Sequence, residues 1–181
     1  MNTFDRFYKK TVIPILFIYV LSYIVCYNVI AYDTSIENGI YIISDANDLQ
    51  SFAEYVSDGN AGSNAKLIDD IDLSDICSQT TEGWIPIGSE SEPYTGTFDG
   101  DGHTISGLYV SMTGSGYTSN YVGLFGYAGT DSKISNLTIT DSKIEASGSY
   151  RGNNVGAIAG NAYDIENCHV TDSVTVTGSN Y

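Results

Sequence analysis

From Tyr41 onward, apolar residues come in short runs broken by Gly, Asn, Asp and Ser. Tyr41-Ile42-Ile43 reads as a strand, and one helical signal follows it. Leu49, Phe52, Ala53 and Val56 fall at i, i+3, i+4 and i+7, predicting a short amphipathic helix near 45–57 with Ser44 or Asp45 as its cap. Leu67-Ile68 and Ile71-Asp72-Leu73 come next, then a loop through Trp84-Ile85-Pro86-Ile87-Gly88. A tight Gly/Asp turn runs from Phe98 to Ile105. No later segment sustains a 3.6-residue period, so crossover helices are not expected.

The second half repeats. Ile105-Ser106-Gly107-Leu108-Tyr109-Val110, Ile134-Ser135-Asn136-Leu137-Thr138-Ile139 and Ile165-Glu166-Asn167-Cys168-His169-Val170 align without gaps, their starts 29 and 31 residues apart. Val122-Gly-Leu-Phe-Gly126 returns in step as Val155-Gly-Ala-Ile-Ala-Gly160. Units of about 30 residues built of short strands and turns fit coils of a parallel β-solenoid. The expected fold is therefore all-β, a right-handed parallel β-helix whose first coil is covered by the helix near 45–57. On this alignment Ile105, Ile134 and Ile165 form one apolar ladder, each side chain contributing about 1.5–3 kcal/mol before entropy is subtracted. Asn136 and Asn167 stack at a corner, where an Asn side chain satisfies turn backbone groups.

Residues 1–31 differ in kind. Arg6, Lys9 and Lys10 precede an uncharged apolar run of 19 residues, Val12–Ile30, which as a helix reaches about 29 Å. Two readings stand: a signal peptide cleaved after Ala31, or an uncleaved membrane anchor. Either exports the domain at 32–181, and the expected location is extracellular or at the cell surface.

Charge narrows the partners. The chain carries 7 Lys+Arg against 22 Asp+Glu, a net charge of −15, and Arg6, Lys9 and Lys10 are lost with the leader. Such a surface disfavours nucleic acid, since it has no basic patch to displace counterions from phosphates. Membrane contact is expected only through residues 12–30, if uncleaved. Cys77 and Cys168 are too few for a disulfide scaffold, and Cys168 falls where other copies carry Leu, so a buried free thiol is expected.

Trp84-Ile-Pro-Ile-Gly88, Thr95-Gly-Thr-Phe-Asp-Gly-Asp-Gly-His-Thr-Ile-Ser-Gly-Leu-Tyr-Val110 and the two Gly-rich repeats resemble GLUG-repeat proteins. The opening segment from Tyr41 and the later Leu67–Asp75 also resemble that family, so the likeness spans about residues 40–177. It implies bacterial or archaeal surface proteins built on right-handed parallel β-helices. Similar repeats accompany adhesin-like proteins and some immunoglobulin A1 metallopeptidases. Related proteins commonly continue beyond the point matching Tyr181. The likeness speaks to fold and exposure and says little about a ligand.

Candidate chemistry is sparse. A zincin helix needs paired His ligands, and His103 and His169 offer no such spacing. A lyase acting on acidic sugars wants clustered cations, whereas Lys66, Lys133, Lys143 and Arg151 are scattered. A hydrolase wants two carboxylates: Asp99 and Asp101 are the candidates, although Phe98-Asp-Gly-Asp-Gly-His reads more simply as a turn. That turn, alone or with Asp69, Asp70 and Asp72, is an oxygen-rich candidate for Ca²⁺, but without EF-hand spacing no metal residues are assigned. Tyr117, Tyr121, Tyr150 and Tyr163 lie in or near Gly/Asn-rich turns, where rings can stack on sugars. The resulting expectation is a non-enzymatic surface module for adhesion or surface interaction, with no cofactor or catalytic set, a surface glycan or protein as ligand, and end-to-end self-association. The alternative is a carbohydrate-active β-helix.

Overall fold

Each short apolar run becomes one side of a coil. The computed structural model describes residues 36–79, 83–114, 120–148 and 152–179. The apolar segment 12–30, with Tyr117, Tyr150 and Arg151, lies outside them. In chain order the elements begin with β1 (Ile36–Glu37), β2 (Ile40–Ile43), α1 (Ala46–Ser57), β3 (Asn64–Leu67), β4 (Ile71–Asp72), β5 (Thr97–Asp99) and β6 (Thr104–Ser106). They continue with β7 (Tyr109–Thr113), β8 (Asn120–Val122), β9 (Phe125–Tyr127), β10 (Lys133–Ser135), β11 (Thr138–Thr140) and β12 (Lys143–Ser147). The last are β13 (Asn153–Val155), β14 (Ala159–Asn161), β15 (Ile165–Glu166), β16 (His169–Val170) and β17 (Thr175–Ser179).

Successive coils pair in parallel, giving sheets ordered β1-β2-β3-β5-β10-β15, β16-β11-β6-β4, β17-β12-β7, β13-β8 and β14-β9. This is a parallel β-solenoid. Inward positions stack in register: Ile71 on Ile105, Ile105 on Ile139, and Ile139 on Val170. Beside them Val110 stacks on Ile144 and Ile144 on Val176. The earlier members of these ladders are sealed from solvent, Ile105, Ile139 and Ile144 each being 0% exposed.

One ladder differs from the sequence alignment. Ile134 does stack on Ile165, but its other neighbour is Phe98, and Ile105 belongs to the next sheet with Ile139. Phe98 to Ile105 is seven residues and Ile134 to Ile139 five. The difference is the Asp101-Gly102 turn, where both residues take positive φ (50° and 86°). The sequence also undercounts the coils: β2 and β3 already occupy the first sheet upstream of β5.

Helix α1 forms where the pattern predicts. Asp45 caps it, its carboxylate accepting from the Asn47 and Asp48 amides, while the Asp48 carboxylate accepts from the Ser44 amide and hydroxyl. Leu49, Phe52 and Val56 point into the core. Phe52 meets Tyr94 edge-on (centroids 6.0 Å apart) and Phe98 at 6.1 Å, and both of those rings lie against Phe125 (5.3 and 5.2 Å). This aromatic plug joins the cap to the coil interior. Tyr94 is 0% exposed, its hydroxyl donates to Ser63 O at 2.9 Å, and burial raises its pKa.

The Gly-rich repeat forms a tight side of each coil. Ile87 bridges to Phe125, and Val122 stacks on Val155, so the segments around 84–88, 122–126 and 155–160 lie in successive coils. The Trp84 indole donates to Leu124 O at 3.0 Å. A Cβ on Gly123 would lie 2.5 Å from Gly156 O, and one on Gly160 would lie 2.5 Å from Val122 N. Side chains there would force the coils apart, which is why these positions are glycine.

Candidate functional site

Two groups of side chains singled out by sequence meet on the outer surface. The first is the polar row along β3, β5 and β10. Asp99 Oδ1 accepts from the Asp101 amide (3.0 Å) and from Asn136 Nδ2 (2.9 Å). Asp101 pairs with Lys66 at 3.0 Å, and Lys133 pairs with Glu166. Asn167 Nδ2 in turn donates to Asn136 Oδ1 at 3.3 Å, and both Asn residues hold the left-handed conformation (φ 55° and 53°). The expected Asn stack is thus a hydrogen-bonded corner rooted on Asp99. Asp70 accepts from the Thr104 amide at 2.8 Å and faces His103 Nδ1 at 3.4 Å. Among the described residues no three His, Cys, Asp or Glu side chains converge as metal ligands, so Asp69, Asp70, Asp72, Asp99 and Asp101 do not form one cluster.

Partial burial alone would raise the Asp99 pKa. The Asn136 and Asp101 hydrogen bonds, with the Lys66 and Lys133 charges, outweigh it and hold the carboxyl below its usual range. A lowered folded-state pKa stabilises the fold above the ordinary carboxylate range, and that contribution disappears as pH falls through the lowered value. Asp99→Asn should therefore lower the stability measured by urea unfolding at neutral pH, by less than about 1 kcal/mol for so solvated a group. The gap to the parent should close below about pH 4. A gap that widens in acid would contradict this assignment.

The second group is aromatic. The Tyr121 and Tyr127 rings lie edge to face, centroids 5.0 Å apart at 74°. Tyr163, on the next coil, is 63% exposed. The protein around the Tyr127 hydroxyl raises its pKa, and the nearby Tyr163, Tyr121 and Glu90 add to that. The Tyr121 hydroxyl lies 3.5 Å from Glu90 Oε1. Glu90 is held out by a turn in which Ser89 N donates to Glu92 O (3.0 Å) and Glu92 N to Ser89 Oγ (3.1 Å). On one side of Tyr121 an open groove of about 390 Å³ runs between Pro86, Ser89, Ser91 and Met112. Of the four tyrosines named by sequence, Tyr121 and Tyr163 are brought to one face, while Tyr117 and Tyr150 lie outside the described residues. Sequence reasoning missed Tyr127 and Glu90. The parallel placement of the Ile87-Gly88 and Phe125-Gly126 segments would have found them, because it puts the turn after Gly88 beside the β8–β9 corner.

Cys77 and Cys168 are both free thiols. Cys77 is buried, but Cys168 is only half-buried, less enclosed than expected, because it sits on the last described coil. Burial raises the pKa of both, which leaves them protonated and unreactive at neutral pH.

Comparison with known proteins agrees with this architecture. Residues 151–177 match the GLUG motif. Over 125 residues the chain is 32% identical to a protein of Evansella cellulosilytica named as a Gly-rich membrane protein, covering 69% of this chain and 13% of that one. Over 146 residues it is 33% identical to halomucin of Haloquadratum walsbyi, covering 77% of this chain and 2% of that one. The chain thus spans a small fraction of the length of these relatives. A crystal structure described as an immunoglobulin A1 protease from Bacteroides ovatus shares the fold, with a TM-score of 0.54, 20% identity, and coverage of 77% of this chain and 40% of that one. With the GLUG motif in its last coils and its repeats stacked in parallel, this chain is a β-solenoid that carries a GLUG motif.

Proposed function

We propose that this chain is an extracellular, surface-exposed β-helix module that acts in adhesion or surface interaction rather than catalysis. The observation that carries the reading is how the candidate carboxylates are used. Asp99 is committed to Asn136 and the Asp101 amide, and Asp101 to Lys66, so the pair holds a corner together. A glycosidase needs one of its two carboxyl groups to stay protonated near neutral pH, whereas the surroundings of Asp99 push its pKa down. The names of the relatives, a membrane protein and halomucin, support a place at the cell surface.

The test is retention without turnover. Cells displaying the full chain should adhere to glycan-coated or cell-derived surfaces better than cells lacking it. The same chain incubated with a polysaccharide panel should release no new reducing or unsaturated ends. Sustained turnover abolished by Asp99→Asn would overturn the proposal in favour of a carbohydrate-active β-helix.

A further inference from the structure

The face built from Tyr121, Tyr127, Tyr163 and Glu90 carries the features of a sugar site. Sugar rings present apolar C–H faces and hydroxyl edges, so a binding site needs exposed aromatic faces beside fixed polar groups. Here the half-buried Tyr121 and Tyr127 rings meet edge to face, and Tyr163, two residues beyond the Asn161 that stacks on Tyr127, comes from the next coil close enough to act on the Tyr127 hydroxyl. Glu90, exposed on its self-bonded turn, supplies an acceptor for sugar hydroxyls within reach of the Tyr121 ring. The adjoining groove of about 390 Å³ has room for one or two sugar units and adds the Ser89 and Ser91 hydroxyls. The charge of the chain selects among glycans. A net −15 repels uronates, sialylated chains and sulfated polymers, and a carboxylate at the site itself strengthens that bias.

We infer that the Tyr121–Tyr127–Tyr163 face with Glu90 binds neutral, hexose-based oligosaccharides, stacking sugar rings on the tyrosines while Glu90 accepts from their hydroxyls. This deepens the surface-interaction reading and rests on it. Asp99 and Asp101 are tied to Asn136 and Lys66 instead, so the two can be tested apart.

The experiment titrates the full chain, kept in solution by a zwitterionic, sugar-free detergent, with neutral tetrasaccharides of glucose, mannose and galactose and with an oligogalacturonate. At least one neutral tetrasaccharide should bind, and the acidic one should not. Tyr163→Ala, which removes a side chain that is 63% exposed and so leaves the fold intact, should weaken binding about tenfold. Tyr121→Ala should weaken it further, and Glu90→Gln should weaken it while the melting temperature stays that of the parent. Unchanged affinity in both Tyr163→Ala and Glu90→Gln, or a preference for the oligogalacturonate, would overturn the inference. Binding to no neutral sugar while the displayed chain still adheres to surfaces would also overturn it and leave the adhesion reading standing. Loss of adhesion in every assay would bring down both.

Discussion

Replacing Ile134 by aspartate should abolish folding, whereas Ile165→Asp, one coil on in the same ladder, should unfold only slightly earlier than the parent. Ile134 is 0% exposed and is flanked along its ladder by Phe98 and Ile165. Among the described residues the core holds no cation to pair with a carboxylate there. It either stays charged at a large desolvation cost or takes up a proton and leaves an unmatched polar group, at about 2–7 kcal/mol. The lost apolar burial adds about 2 kcal/mol. A domain of this size is stable by about 5–15 kcal/mol in all, so the sum consumes most of what is available. Ile165 points the same way but is 45% exposed, so its aspartate reaches water. Far-UV circular dichroism and urea midpoints of the two variants check this. Equal midpoints for Ile134→Asp and the parent would remove Ile134 from the core.

The contrast between these isoleucines shows how far the sequence could be read. Alternation placed Ile134, Leu137 and Ile139 inward correctly, since a strand has only two faces. The helical spacing from Leu49 to Val56 located the cap, because no other element gives that period. The alignment of Ile105 with Ile134 failed for a chemical reason. Successive corners of a coil demand the same residue types: Asn136 and Asp141 turn two corners of one coil, both with positive φ (55° and 46°), and Gly107 (68°) turns one of the preceding coil. Gly107 therefore looks in sequence like the partner of Asn136, although it precedes Leu108, whose amide donates to Ser142 Oγ at 3.1 Å one corner further on. Only strand pairing separates the two registers. The tyrosine face was half legible for the same reason. Exposure near turns marked Tyr121 and Tyr163, but Tyr127 and Glu90 join them across coils, and that needs the register first.

A polypeptide of residues 37–181 should associate more strongly as ionic strength rises, and it should stop at pairs. Strands β15, β16 and β17 each have a neighbour on one side only, within the described residues. Their inward residues Ile165, Val170 and Val176 are 45%, 48% and 44% exposed, against 0% for their stacked partners Ile134, Ile139 and Ile144. Unpaired strand edges around an apolar cross-section favour docking onto another chain. At the opposite end α1 packs Leu49, Phe52 and Val56 into the core, although β4 and β7 there also end their sheets. Docking of one such C-terminal edge onto the same edge of a second copy is two-fold and closes on itself as a dimer. Opposing this is the strong negative charge, a long-range repulsion with a Debye length of about 30 Å at 0.01 M salt and about 3 Å at 1 M. Sedimentation across that range should show monomer giving way to dimer as salt increases. Ile165→Asp combined with Val170→Asp should hold the protein monomeric without unfolding it, and an appended coil with a polar outer face should do the same. A strict monomer at every salt and protein concentration would mean that the exposed edge is not adhesive. Species larger than a dimer would mean that α1 leaves the other end open as well.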